Sequence, residues 1–158
     1  MGAAIDFLER LQYTRYGRPY LPSGPDFNIS HSGNIVVCSC TASCITGIDI
    51  EELSAVDFCN FEQMFSASEW DDILQAPERL QRFYHYWTIK ESVIKADGRG
   101  FSASLEKLVI EGNQATLDDR NWFVQELNIA AGYKCFVASD SPQEITLEEV
   151  SFADNPAF

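Results

Sequence analysis

W-T-I-K-E-S-V-I-K-A-D-G-R-G, residues 87–100, reads as the last turns of a helix stopped at Asp97-Gly98, where glycine supplies a left-handed cap residue. Side chains three and four apart share a helix face, so Tyr84, Thr88, Glu91 and Lys95 fall on one stripe. Phe83, Trp87 and Ile94 form a second, apolar stripe, with Tyr86 and Val93 on its flank. Taken alone, Glu91 and Lys95 are a solvated pair on an amphipathic helix, worth about 0.2–0.5 kcal/mol. What lifts them above that reading is the set of partners the rest of the chain supplies for a carboxylate and an ammonium side by side.

The nearest such partners lie in T-G-I-D-I-E-E, residues 46–52. In a strand, Ile48 and Ile50 face one side while Asp49 and Glu51 project together on the other. Two like charges on one face repel and call for a cation. Magnesium suits the arrangement, because it takes one or two protein carboxylates, keeps waters and accepts substrate phosphates. The spacing matches neither an EF-hand loop nor a zinc site. A solvent-facing acidic strand is the plainer alternative.

Upstream, F-N-I-S-H-S (27–32) reads as a short strand, with a turn at Gly33-Asn34 and a hairpin partner I-V-V-C-S-C-T (35–41). Ser30, His31 and Ser32 sit where strand gives way to turn, and two hydroxyls flanking an imidazole suit a phosphate oxygen. Before them, Y-G-R-P-Y-L-P-S-G-P (16–25) is turn chemistry, with Arg18 in a rigid Gly-Arg-Pro corner. Ile5, Leu8 and Leu11 at helical spacing predict a short helix over residues 3–13. Residues 56–74 read as a helix followed by a second short one capped at Ser66 or Ser68, and Pro77 starts the long helix. After Gly100 the period falls to two over 105–110, 115–117, 122–127, 134–139 and 145–151. Gly112-Asn113 and Ala131-Gly132 mark tight turns, so an antiparallel meander follows. The expected fold is α+β, an antiparallel sheet packed against a long helix. The tail A-D-N-P-A-F is expected to fray.

The chain's 158 residues, 46% hydrophobic and 13% aromatic, can bury one compact core. No run of about 18 apolar residues is present, so no membrane span is expected. The acidic start lacks the basic region of a signal peptide, which points to the cytoplasm. A net charge of −13 argues against nucleic acid as a partner. Yet Arg79, Arg82, Lys90, Lys95 and Arg99 are five of the eleven basic residues, so a small anionic ligand suits the chain better than a polyanion. The five cysteines include no C-x-x-C pair and read as thiols in a reducing compartment.

The ordered set G-R-P with F-N-I-S-H-S, then G-I-D-I-E, then W-x-x-K-E-S-x-x-K with a Gly-x-Gly stop resembles the 4′-phosphopantetheinyl transferases of the surfactin-synthetase type. The resemblance covers about residues 16 to 140. It implies a phosphopantetheinyl-transferase-like fold. It also implies transfer of the phosphopantetheine arm of coenzyme A to a serine of an acyl- or peptidyl-carrier protein, leaving 3′,5′-adenosine bisphosphate. Carried over by motif, Asp49, Glu51 and Glu91 hold magnesium against the pyrophosphate. Lys95 and His31 meet phosphates, Ser30 belongs to the same coenzyme-binding motif, and Arg18 matches the basic position near the nucleotide. Glu69 matches another acidic position and is assigned only site support. With Glu91 as base, the catalytic set is Glu91, Lys95 and His31.

Family members of this type hold two similar halves in a longer chain, with the site between them. Residues 46–158 look like a complete C-terminal half, and residues 1–45 like a partial N-terminal one. A homo-oligomer or a separate partner chain would complete the cleft, with Ile5, Leu8, Leu11, Tyr84 and Tyr86 as candidates for the uncovered apolar surface. The competing function is a non-catalytic remnant that docks carriers or other partners.

Overall fold

The computed structural model describes residues 9–150. In chain order they form β1 (Gln12–Tyr13), β2 (Pro19–Tyr20), β3 (Asp26–Ser32), β4 (Ile35–Thr41), β5 (Thr46–Glu52), α1 (Ala67–Gln75), α2 (Arg79–Asp97), β6 (Val109–Glu111), β7 (Gln114–Leu117), β8 (Arg120–Glu126) and β9 (Tyr133–Ser139). The main sheet is antiparallel throughout, in the order β5-β9-β8-β7-β6. The expected meander from residue 109 onward thus forms, and β5 joins it at one edge. The fold is α+β.

α2 lies across one face of this sheet. Ile89, Val93, Ile94 and Ala96 pack there on Leu117, Trp122, Val124, Phe136 and Ala138. The helix ends where the sequence says it should, with Gly98 at φ 80° and its N–H bonded to the Ile94 carbonyl. On the other face Ile48, Ile50, Leu127, Cys135 and Val137 form a second cluster, partly covered by Ile35, Val37 and Ile145. A third core gathers Phe65, Ile73, Phe83 and Tyr84 between α1 and α2.

The β3–β4 hairpin covers the exposed edge of β5 without backbone pairing. Instead, side chains of alternate β3 residues accept from alternate β5 amides. Asp26 takes Thr46 N–H at 2.7 Å, Asn28 takes Ile48 at 3.0 Å, Ser30 takes Ile50 at 3.3 Å and Ser32 takes Glu52 at 2.9 Å. An edge strand's amides need partners, and here the period of two on each strand supplies them.

Several elements depart from expectation. Residues 56–65 do not form a helix but two single 3-10 turns, Phe58–Asn60 and Glu62–Met64. A three-residue turn puts Phe58, Phe61 and Met64 on one side. There Phe58 and Phe61 meet Phe83 edge-on, each with ring centroids 5.3 Å apart. Of the helix predicted over 3–13, residues 3–8 lie outside the described residues, and Gln12 and Tyr13 are in a strand instead, pairing with Tyr20 and Pro19 around a turn closed at Gly17, φ 86°. Ile5 and Leu8 lie outside the described residues. α2 begins at Arg79, two residues after Pro77. Residues 105–107 form a 3-10 turn ahead of β6. Residues 145–150 form no strand, although Ile145 packs on the sheet.

Candidate active site

Gly47 sets the distance between β5 and α2. A Cβ built on it would stand 2.2 Å from the Ser92 carbonyl oxygen and 2.3 Å from the Ala96 nitrogen. Only glycine lets the strand come this close to the helix. Two residues on, Asp49 therefore meets the stripe that carries Glu91 and Lys95. The Lys95 ammonium donates to Asp49 Oδ1 at 2.6 Å and to Ser30 Oγ at 2.9 Å. Ser30 Oγ in turn donates to the same Asp49 oxygen at 2.9 Å.

One further residue pair along the strand, Glu51 accepts from the Trp87 indole N–H at 3.1 Å and from Ser32 Oγ at 3.2 Å. Thus the first stripe of α2 reaches Asp49 and the apolar stripe reaches Glu51. Trp87 was grouped with the apolar residues by its spacing, and the polar edge of its indole gives it a second use.

Asp49 is only 3% exposed, and burial pushes its carboxyl up to about 6 against the pull of Lys95, with Glu51 adding to the rise. Glu91 is half-buried. Burial first, then the charges of Asp49 and Glu51, push its carboxyl up to about 7, while Lys95 opposes the rise. Three carboxylates thus share one neighbourhood with one ammonium. Asp49 Oδ2 and Glu91 Oε1 are buried with no hydrogen-bond partner. The Asp49 and Glu51 charges act on Glu91, and an unpartnered carboxylate oxygen is the kind of group a divalent ion would take. Among the described residues no group of three or more Cys, His, Asp or Glu is arranged as a ready metal site. Asp49 Oδ1 is held by Lys95, and both Glu51 oxygens are held by Trp87 and Ser32.

The family model of the 4′-phosphopantetheinyl transferase superfamily matches residues 45–143, which include β5, both helices and the rest of the main sheet. The chain belongs to this superfamily. It is 34% identical over 152 residues to the 4′-phosphopantetheinyl transferase Sfp of Bacillus subtilis, covering 87% of this chain and 67% of that one. With psf-1 of Bacillus pumilus it shares 33% over 150 residues, 88% of this chain and 64% of that one. With gsp of Aneurinibacillus migulanus it shares 35% over 132 residues, 78% and 55%. The chain therefore spans between about half and two thirds of the length of these transferases.

The remaining residues carried over from the superfamily's motifs are placed differently from the carboxylates. Arg18 is turned into the protein. Its guanidinium donates to Asp26 Oδ2 at 2.7 Å and to the Thr46 carbonyl at 2.8 Å, and its stem lies against Gly98. It ties the Gly-Arg-Pro corner to the start of β5 and the end of α2. His31 stands on the outward face of β3, exposed, one residue out of phase with Ser30 and Ser32. The pleat that brings the two serines to Asp49 and Glu51 turns the imidazole away from them. Ser30 is buried, and its hydroxyl is already committed to Asp49, Lys95 and Ile50.

Sequence reading did not anticipate the part played by Lys90. Its ammonium is fully buried, paired with Glu69 at 2.9 Å and donating to the Leu105 and Leu108 carbonyls at 2.8 and 3.3 Å. Glu69 is also the third helical residue of the Ser66 capping box on α1. The pair binds α1, α2 and the 105–108 turn together beside Glu91. The signal was present, since Lys90, three residues after Trp87 and four before Ile94, falls on the apolar stripe. Tyr84 and Tyr86 are not uncovered surface. Tyr84 is buried, its hydroxyl at the Ser54 carbonyl, and Tyr86 donates to Asp72.

Proposed function

We propose that this chain transfers the 4′-phosphopantetheine group from coenzyme A to a serine hydroxyl of an acyl- or peptidyl-carrier protein, in a magnesium-dependent reaction. The observation that carries this reading is the Asp49–Lys95 ion pair, whose charges also act on the half-buried Glu91, in a member of the transferase superfamily, with orphaned oxygens on both carboxylates. In the transfer the serine oxygen bonds to the phosphorus that bears pantetheine, the pyrophosphate P–O bond breaks, and 3′,5′-adenosine bisphosphate leaves. Reactions of this kind need charge neutralisation and positioning more than covalent help. Asp49, Glu51 and Glu91 would hold magnesium, which when bound neutralises pyrophosphate charge. Lys95, half-buried and bonded to Asp49, would meet a phosphate oxygen. Glu91, titrating near neutrality, is suited to take the serine proton, and metal binding and base duty compete for its oxygens.

Residues 46–158 are read as the C-terminal transferase half and 1–45 as a partial N-terminal one, and the extent of the family match supports the division. His31 and Arg18 are assigned to the coenzyme side by motif alone. His31, on the hairpin's outer face, would meet phosphate only where something approaches that face. Ile29 and Val36 are exposed there at 52% and 71%, which supports a homo-oligomer or a separate partner chain seated on it. No described helix is long and apolar enough to cross a membrane, and we assign the chain to the cytoplasm.

Incubation with coenzyme A, magnesium and several apo-carriers, followed by weighing the carriers, tests the reading. A gain of one phosphopantetheinyl group per carrier, abolished by chelator, is expected. Unmodified carriers across acyl and peptidyl types, with the chain folded and supplied with metal, would refute it. Sedimentation across protein concentration and salt tests the assembly.

A further inference from the structure

The four side-chain rungs between β3 and β5 are not chemically alike, and the difference follows the carboxylates. Asp26 and Asn28 meet the β5 amides with acceptor oxygens. At the next two rungs the residues are serines, and these are the rungs beside Asp49 and Glu51. An amide-accepting oxygen at all four positions would hold the strand edge equally well. A hydroxyl adds one donor while keeping two lone pairs.

Ser30 Oγ uses the whole set, accepting from Ile50 N–H and the Lys95 ammonium while donating to Asp49 Oδ1. Ser32 Oγ accepts from Glu52 N–H and donates to Glu51 Oε2. Each hydroxyl is fixed from behind by a backbone amide of β5 and aimed at the carboxylate one residue earlier on the same strand. An aspartate at either position would face a like charge, and an alanine would leave the carboxylate free to turn.

We propose that Ser30 and Ser32 are positioning residues that orient the Asp49 and Glu51 carboxylates, so that the β3 hairpin is part of the site's machinery as well as a cover for the β5 edge. This rests on the transferase reading of Asp49 and Glu51. Outer hydrogen-bond partners of metal-holding groups typically matter by about 10–100-fold in metal affinity or activity.

The test compares rungs. Ser30→Ala, Ser32→Ala and Asn28→Ala each remove one β5 amide acceptor, so all three lower the melting temperature. Only the serine variants are expected to weaken magnesium binding, measured by calorimetry without coenzyme A, and to lower kcat, each by about tenfold or more, with the coenzyme A KM little changed for Ser32→Ala. Ser32→Thr, which keeps the hydroxyl, restores both. If Asn28→Ala loses magnesium affinity and kcat as much as the serine variants, or the serine variants lose neither, the rungs are structural only and the inference is overturned. Asp49→Ala run in parallel separates the two claims. Wild-type transfer by Asp49→Ala refutes the transferase site itself, whereas an inactive Asp49→Ala beside fully active serine variants refutes only the positioning role.

Discussion

Glu91→Gln should stabilise the protein above neutral pH and do nothing below about pH 4. The Glu91 carboxyl is pushed from 4.5 to about 7, chiefly by burial and then by the Asp49 and Glu51 charges. A folded-state pKa raised above the unfolded value means the native form keeps a proton that the unfolded chain has released. That contribution is fully present below the unfolded pKa and is lost as pH rises through the folded one, from about 4.5 to 7. At about 1.36 kcal/mol per pKa unit the ceiling is about 3 kcal/mol, and partial exposure brings the expected figure to about 2 kcal/mol. For a chain of this size that is roughly 4–8 °C in melting temperature. Urea unfolding of wild type and variant at pH 5 and pH 8, without metal, measures it. The variant should gain most of its advantage between those two pH values. Equal stabilities at pH 8 would mean that Glu91 is solvated and far from the other carboxylates. A variant less stable than wild type at pH 8 would mean that its charge is a net favourable partner of Lys95.

Other perturbations reach the neighbouring parts of the site. Gly47→Ala forces a Cβ into backbone atoms of Ser92 and Ala96 and should cost about 1–3 kcal/mol or more by chemical denaturation, with transfer falling as β5 is pushed off α2. Lys95→Ala should weaken coenzyme A binding by about 1.5–3 kcal/mol in calorimetry, the worth of a charge-assisted contact to phosphate; unchanged affinity would confine Lys95 to its pair with Asp49. Lys90→Met leaves Glu69 buried without its cation and should cost about 3–5 kcal/mol, and adding Glu69→Gln should recover most of that loss.

The parts of this structure that were legible in the sequence are those where one local rule decided the outcome. Gly98 stops α2 because only glycine takes its left-handed φ without strain, and Ser66 caps α1 because its hydroxyl reaches the Glu69 N–H. Alternation in residues 46–52 sorted Ile48 and Ile50 from Asp49 and Glu51 on opposite faces of β5. Where tertiary contacts compete with local pattern, the reading failed. Apolar spacing in 56–65 fits a helix, yet the aromatic rings are drawn to Phe83 and Trp87 and settle as 3-10 turns. For Arg18, the rigid Gly-Arg-Pro corner was legible, while nothing local reveals that Asp26 and the Thr46 carbonyl accept from it. The phase of His31 was readable from the β3 alternation that also governs Ser30 and Ser32.

In the proposed function Asp49 and Glu91 work as transferase groups and are not a buried charge cluster of structural value alone. The most direct test is the mass of an apo-carrier that wild type modifies, followed over time with wild type, Asp49→Asn and Glu91→Gln at equal concentration, with coenzyme A and magnesium. Each variant is first shown to be folded. Both should transfer at least about a hundredfold more slowly than wild type, in line with the loss of electrostatic stabilisation at the reacting phosphate. Variants that load the carrier at the wild-type rate would contradict the account.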